Sequence, residues 1–201
     1  MLKVLIASHN KGKVKEFKQM FQALELEVES LLDYPEIEEV EETGSTFEAN
    51  ARLKAETIAQ IMNCMVLADD SGLVVPALDG EPGVYSARYS GEPKDDTRNN
   101  LKLLERLEEV ATEDRSAYFV SCLVMAYPNH ESLIVEGRAY GEILPELKGT
   151  DGFGYDPLFY VEQEGYTFAE ISLERKNQIS HRANATKQLL EELPKWLEGL
   201  N

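Results

Sequence analysis

Apolar residues recur along the chain with two periods, and the switch between them outlines the fold. Residues 2–7 form a short apolar run that reads as a first strand, and residues 11–24 follow with Val14, Phe17, Met20, Phe21 and Leu24 on one helical stripe. Residues 27–32 predict a second strand. Ser45-Thr46-Phe47-Glu48 has the form of a capping box opening a helix to residue 62, with Phe47, Ala51, Ala55, Ile58 and Met62 on one face. Short apolar runs at 65–68 and 73–75 flank Asp69-Asp70-Ser71-Gly72, and a further helix over 96–109 is carried by Leu101, Leu104 and Leu107.

The middle of the chain changes character. Residues 117–127 are β-branched, aromatic and apolar on both faces, as in a strand covered on both sides. Pro128-Asn129-His130-Glu131 predicts a turn, with His130 a turn residue, and 133–143 a return strand. A last strand is expected at 157–161 and a last helix at 182–193, opened by Ser180. Strand–helix alternation followed by a long hairpin predicts an α/β fold, a mixed sheet flanked by helices. No repeat, low-complexity tract or Gly/Ser linker marks a domain boundary.

Composition adds exclusions. The 201 residues carry 37 Asp and Glu against 20 Lys and Arg, a net charge of −17, in a chain that is 43% hydrophobic. A surface so acidic repels phosphate polyanions and anionic bilayers, so neither nucleic acid nor a membrane is an expected partner. No apolar run reaches the roughly 18 residues of a membrane span, and the opening run is too short for a signal-peptide core. Cys64 and Cys122 stand beside apolar residues, which suits reduced thiols and a cytoplasmic protein.

Against that acidity, positive charge at one place stands out. Residues 9–18 hold four lysines and one glutamate where an apolar strand meets a helix start, with Ser8, Asn10 and Gly12 in the turn. Orphan N–H groups and the helix dipole make such a junction an anion site, although the spacing is not that of a P-loop and Lys15 and Lys18 read as solvated. Glu36-Ile37-Glu38-Glu39-Val40-Glu41-Glu42 reads as a solvated acidic loop from which Mg²⁺ could recruit one or two carboxylates. Asp69 and Asp70 project to opposite sides of a strand, so one of them belongs to a given site unless the chain turns there, and an Asp-Ser-Gly turn remains the alternative. In Gly149-Thr150-Asp151-Gly152-Phe153-Gly154-Tyr155-Asp156, glycines permit close ligand approach and the aromatic pair offers a stacking surface closed by Asp156. Lys176, His181 and Arg182 supply donors beside a helix start.

In order along nearly the whole chain, these segments resemble the signature blocks of one family. The blocks are Ser8-His9-Asn10-Lys11-Gly12-Lys13; Glu41-Glu42-Thr43-Gly44-Ser45-Thr46-Phe47 with Asn50 and Lys54; Leu67-Ala68-Asp69-Asp70-Ser71-Gly72-Leu73; Pro82 through Gly91; Gly152 through Pro157; and Lys176 through Arg182. The family is the inosine/xanthosine triphosphate pyrophosphatases, which hydrolyse deaminated purine nucleoside triphosphates to monophosphate and pyrophosphate. The resemblance implies an elongated α/β molecule, one domain over residues 1–201 with two lobes and a central nucleotide cleft, acting as a Mg²⁺-dependent homodimer. It also implies roles. Ser8, His9, Asn10, Lys11, Gly12, Lys13 and Lys54 would take the phosphates, Glu41 and Asp70 the metal, and Asp70 the proton; the sequence alone does not separate Asp70 from Asp69, whose alternative role is to orient the site. Ser71 would contact substrate, and Phe153, Gly154, Tyr155, Asp156, Lys176, His181 and Arg182 the base. Arg88 either stabilises developing charge or pairs with a carboxylate.

Overall fold

In a computed structural model describing residues 2–21 and 26–200, the chain runs β1 (Leu2–Ile6), α1 (Lys11–Phe21), β2 (Leu26–Ser30), α2 (Phe47–Met62), β3 (Val66–Val74) and α3 (Asp96–Arg106). It continues through β4 (Ser116–Ala126), β5 (Leu133–Ile143), β6 (Phe159–Val161), β7 (Tyr166–Thr167), α4 (Leu173–Ile179) and α5 (His181–Glu198). The strands form one mixed sheet in the order β2-β1-β3-β4-β5-β6-β7. β1 lies parallel to β2 and β3, whereas β6 is antiparallel to β5 and β7. The expected mixed α/β architecture is therefore present.

The α1 stripe follows its sequence pattern, with Val14, Phe17 and Phe21 buried. Full burial of a side chain such as Phe17 contributes about 1.5–3 kcal/mol. Leu24, the last residue of the expected stripe, lies outside the described residues. At α2 the cap differs from the expected box. Thr46, not Ser45, is the N-cap, its Oγ1 accepting from the Ala49 amide at 3.1 Å, so Glu48 does not occupy the third helical position. In α3 the packing stripe is displaced: Leu103 and Leu107 are fully buried while Leu101 is 56% exposed. The largest difference is β3. Its nine residues run without a break through Asp69-Asp70-Ser71-Gly72, where turn propensity had separated two short runs.

The chain divides into two compact units. The first comprises the residues up to Asp70, Ser121–Gly137 and those from Arg182 onward. Its strands carry an apolar layer on each face. Val4, Ile6, Leu67, Leu123 and Met125 pack with Val14 and Phe17 of α1 and Leu189 of α5, while Leu5, Val66, Ala68, Cys122 and Val124 pack with Ala51, Ala55 and Ile58 of α2. The second unit, Ser71–Val120 and Arg138–His181, is built on one core that includes Leu73, Leu103, Leu107, Phe119, Leu158, Phe159 and Phe168.

Candidate active site

Alternation along β3 decides which way its carboxylates point. Leu67 faces α1 and α5, and Val66 and Ala68 face α2, so Asp69 continues toward the first pair of helices and Asp70 toward the second. β1 ends at Ile6, which pairs with Leu67, so both acids sit just past the carboxyl end of a parallel neighbour. Both are buried, at 4% exposure each.

Asp69 is surrounded by cations. Lys13 of α1 lies 2.9 Å from Oδ2, the Arg182 Nε donates to the same oxygen at 3.1 Å, and the Ser121 hydroxyl donates to Oδ1 at 2.6 Å. Arg182 in turn donates from Nη1 to Glu16 at 2.8 Å, and Glu16 is itself 2% exposed. Burial alone would raise the Asp69 carboxyl, but Lys13 and Arg182 more than reverse it and hold the group far below the carboxylate range. Burial lowers Lys13 from the ordinary lysine value despite Asp69 beside it, and the two carboxylates outweigh burial to raise Arg182. The chain Glu16–Arg182–Asp69–Lys13 alternates in sign, which is what lets three buried charges coexist with the half-buried Lys13.

Asp70 meets a different set. Asn50 Nδ2 donates to its Oδ2 at 3.1 Å, and the Lys54 ammonium stands 3.6 Å from Oδ1 and 2.7 Å from Glu42. Lys54 also donates to the Asp69 carbonyl oxygen at 3.0 Å. Burial lowers Lys54 and the Asp70 and Glu42 carboxylates outweigh it, so the ammonium is held charged. Burial pushes the Asp70 carboxyl above its ordinary value. Asn50 and Lys54 are one turn apart on α2, at the polar end of the face that buries Ala51, Ala55 and Ile58. Among the described residues no group of three or more His, Cys, Asp or Glu is gathered to enclose a metal. Mg²⁺ commonly needs only one or two carboxylates with substrate phosphates, and the all-oxygen donors at Asp70 fit such a hard cation.

The 8–13 junction is built as a capped turn. Ser8 Oγ accepts from the Asn10 amide at 3.1 Å, and Asn10 Oδ1 accepts from the amides of Gly12 at 2.9 Å and Lys13 at 3.1 Å. Two of the first-turn N–H groups are thereby satisfied within the protein, so attraction for an anion rests on the helix dipole and on Lys13. His9 is half-buried and Lys11 exposed; Lys15 and Lys18 are exposed, as expected.

The second unit holds the remaining site residues. Asp156 Oδ2 accepts from the Phe153 amide at 2.9 Å and pairs with Lys176 at 2.6 Å, and the Lys176 ammonium lies 4.7 Å from the Phe153 ring centroid. Gly152 has φ +77°, and a Cβ there would meet Asp156 Oδ2 at 2.1 Å, so only glycine lets this carboxylate fold under the loop. α3 clamps the loop from outside: Asp96 accepts from the Gly154 amide at 2.7 Å and Asn100 donates to the Gly154 carbonyl at 2.8 Å. Tyr155 is buried and donates to the Ser86 carbonyl at 2.8 Å, so it anchors the loop. His181 is buried and stacks on Phe119, rings 4.7 Å apart and 15° from parallel. Arg88 lies over the Tyr85 ring at 5.3 Å, and Ser71 is half-buried.

Several of these partners escape a reading of the sequence. Glu16 and Ser121 gave no signal, because each is defined by a partner more than fifty positions away. Asn50 had one: a polar residue on the apolar face of α2, four positions before Lys54, asks what it bonds to.

Comparison with known proteins bears on this arrangement. The model of the Ham1 family matches residues 4–192. A dITP/XTP pyrophosphatase of Bacillus anthracis is 52% identical over 201 residues, covering 99% of this chain and 100% of its own. One from Listeria monocytogenes is 54% identical over 198 residues, 98% of each chain. Among solved structures, a HAM1 protein from Coxiella burnetii superposes with a TM-score of 0.87 at 40% identity, covering 97% of this chain and all of its own.

Proposed function

The chain belongs to the Ham1 family, and from that premise we propose that it hydrolyses deaminated purine nucleoside triphosphates, ITP, dITP and XTP, to the monophosphate and pyrophosphate. The observation that carries the catalytic part is the environment of Asp70, a buried carboxyl held by Asn50 and sharing the Lys54 ammonium with Glu42.

The triphosphate is assigned to the residues around Asp69 and Asp70. The half-buried Lys13 and the buried Lys54 bring two ammonium groups toward the strand end, and the Ser8–Lys13 turn presents the dipole of α1. Asp70 and a glutamate of the 41–42 pair, Glu41 in the resemblance, would hold a Mg²⁺, which would neutralise phosphate oxygens and make water more acidic. Asp70 accepts the proton of the attacking water at its carboxylate, which burial holds above its ordinary value. Asn50 orients that carboxylate, and Lys13 and Lys54 balance charge on the departing pyrophosphate. Asp69, committed to Lys13, Arg182 and Ser121, serves as an anchor for the first of these lysines.

The base is assigned to Phe153 as a stacking surface beside Lys176. Hypoxanthine and xanthine offer an acceptor at position 6 where adenine offers a donor, so the donors Lys176 and His181 favour the deaminated bases, while Arg182, given to the base by the resemblance, donates to Asp69 and Glu16. The reading includes a cytoplasmic homodimer. It is tested by pyrophosphate release from ITP, dITP, XTP, ATP and GTP with and without Mg²⁺. Release that is fastest for the first three and abolished by EDTA supports it, whereas tight nucleotide binding without release makes the protein a sensor.

A further inference from the structure

We propose that Asn100 of α3, with Asp96 one turn before it, is a positioning residue for base recognition: the pair fixes both peptide planes at Gly154 and so sets the Phe153 ring against the purine. The inference rests on the base-binding reading above and adds to it a helix outside the loop.

The buried residues of α3 are Asn99, Asn100 and Leu103, so two amides stand where packing alone would take apolar side chains. They are 2% and 4% exposed. Adjacent on a helix, they point about 100° apart around its axis and serve different segments. Asn99 accepts from the Ser90 amide at 2.7 Å and donates to the Ala87 carbonyl at 3.1 Å. Asn100 donates to the carbonyls of Asp96 and Gly154, each at 2.8 Å, while its amide oxygen meets no donor among the described residues. An unmet buried acceptor destabilises a fold, so what Asn100 contributes is its hold on the loop rather than stability.

Gly154 is bracketed by that hold. Its N–H donates to Asp96 and its carbonyl accepts from Asn100, so the planes before and after its Cα are both tied to α3. Crowding does not fix it: the residue has φ +62°, and an added Cβ would meet nothing within 4 Å. The next residue closes a circuit back to the same helix. Tyr155 donates to the Ser86 carbonyl at 2.8 Å, and the Asn99 amide approaches that carbonyl at 3.4 Å. Phe153 hangs from the first of the two planes, its N–H on Asp156 and its ring beside the Lys176 ammonium. Rotation of that plane tilts the ring, and stacking on a base depends on ring tilt.

The test is calorimetric binding of IMP, and of tripolyphosphate, which has no base, to the full-length protein, alongside thermal unfolding and ITP kinetics. Asn100→Leu keeps the size, suits a helix and removes the unmet acceptor, so Tm should hold or rise. IMP should weaken by about 5–20-fold, part of the roughly 10–100-fold that stacking on an aromatic ring contributes. Tripolyphosphate should bind as before, and KM for ITP should rise more than kcat falls. Asp96 is exposed, so Asp96→Ala keeps the fold in any case; it should also weaken IMP, and Asp96→Asn, which retains an acceptor, should restore it. Wild-type IMP affinity in Asn100→Leu and Asp96→Ala overturns the proposal, as does equal weakening of IMP and tripolyphosphate. If the wild-type chain binds no IMP, the base-binding reading falls with it. If IMP binding responds as expected but ITP yields no pyrophosphate, the activity alone is wrong.

Discussion

Asp69 and Asp70 are neighbours in the chain and face opposite sides of the same strand. Asp69 is neutralised by Lys13 and Arg182 from α1 and α5, and Asp70 is held by Asn50 and Lys54 from α2. Two residues of identical chemistry thereby acquire opposite electrostatics. Cations lower the first carboxyl, and burial raises the second.

The two Asp→Asn variants should therefore diverge. Asp69→Asn leaves Lys13 and Arg182 buried without their shared carboxylate, and breaking such a pair costs about 3–5 kcal/mol, readable as a lower urea midpoint at pH 7. Because the folded-state value is depressed, Asp69's contribution is fully present above the unfolded carboxylate range and fades only as pH falls toward the folded value. Asp70→Asn removes a charge that burial already disfavours, so the fold should persist while turnover of ITP drops by about 10²–10⁴-fold. Equal destabilisation by both changes, or wild-type kcat in Asp70→Asn, contradicts this division of labour.

This division also shows what could be read in advance and what could not. The opposed directions of the two acids follow from strand alternation alone, and the apolar stripes of α1 and α2 and the span of β5 are legible in the same way. The continuity of β3 is not. Asp-Asp-Ser-Gly carries turn propensity, and what overrides it is charge compensation by Lys13, Lys54 and Arg182, drawn from distant parts of the chain. Glu42 is hidden for another reason, since a loop has no period to say which of two glutamates turns inward.

At the phosphate end, Lys13→Ala should weaken triphosphates more than the monophosphate product. Its ammonium belongs to the Asp69 cluster beside the junction to which the triphosphate is assigned. Competition assays with ITP, a non-hydrolysable analogue and IMP measure this; equal weakening of all three places Lys13 outside that contact.

Base choice should favour ITP over ATP by about 10–100-fold for each donor left unpaired by the 6-amino group. Arg182 tests where that preference arises. With Nε on Asp69 and Nη1 on Glu16, its removal strands two buried carboxylates. We expect Arg182→Ala to lower kcat/KM for ITP and ATP by similar factors and to destabilise the fold. A narrowed ITP-to-ATP gap at unchanged stability would instead make Arg182 a reader of the base.

Gly152→Ala probes the other unit. The added methyl collides with Asp156 at a left-handed backbone position, a strain of about 1–3 kcal/mol. The Asp156 carboxylate must then leave Phe153 or Lys176, so KM for ITP should rise more than kcat falls. An unchanged KM would detach this loop from base binding.

The uninterrupted course of β3 has a consequence for how this chain can change. Function at residues 69 and 70 is assigned by parity: odd positions look toward α1 and α5, and even ones toward α2. Insertion or deletion of one residue between Ala68 and Asp69 would invert that parity on one side of the change, sending each carboxylate toward the other's partners or, if the acids kept their places, turning Leu67 and Ala68 to the wrong layers. Substitutions can be sampled here one at a time, but a single-residue change in length rewrites every address on one side of it at once.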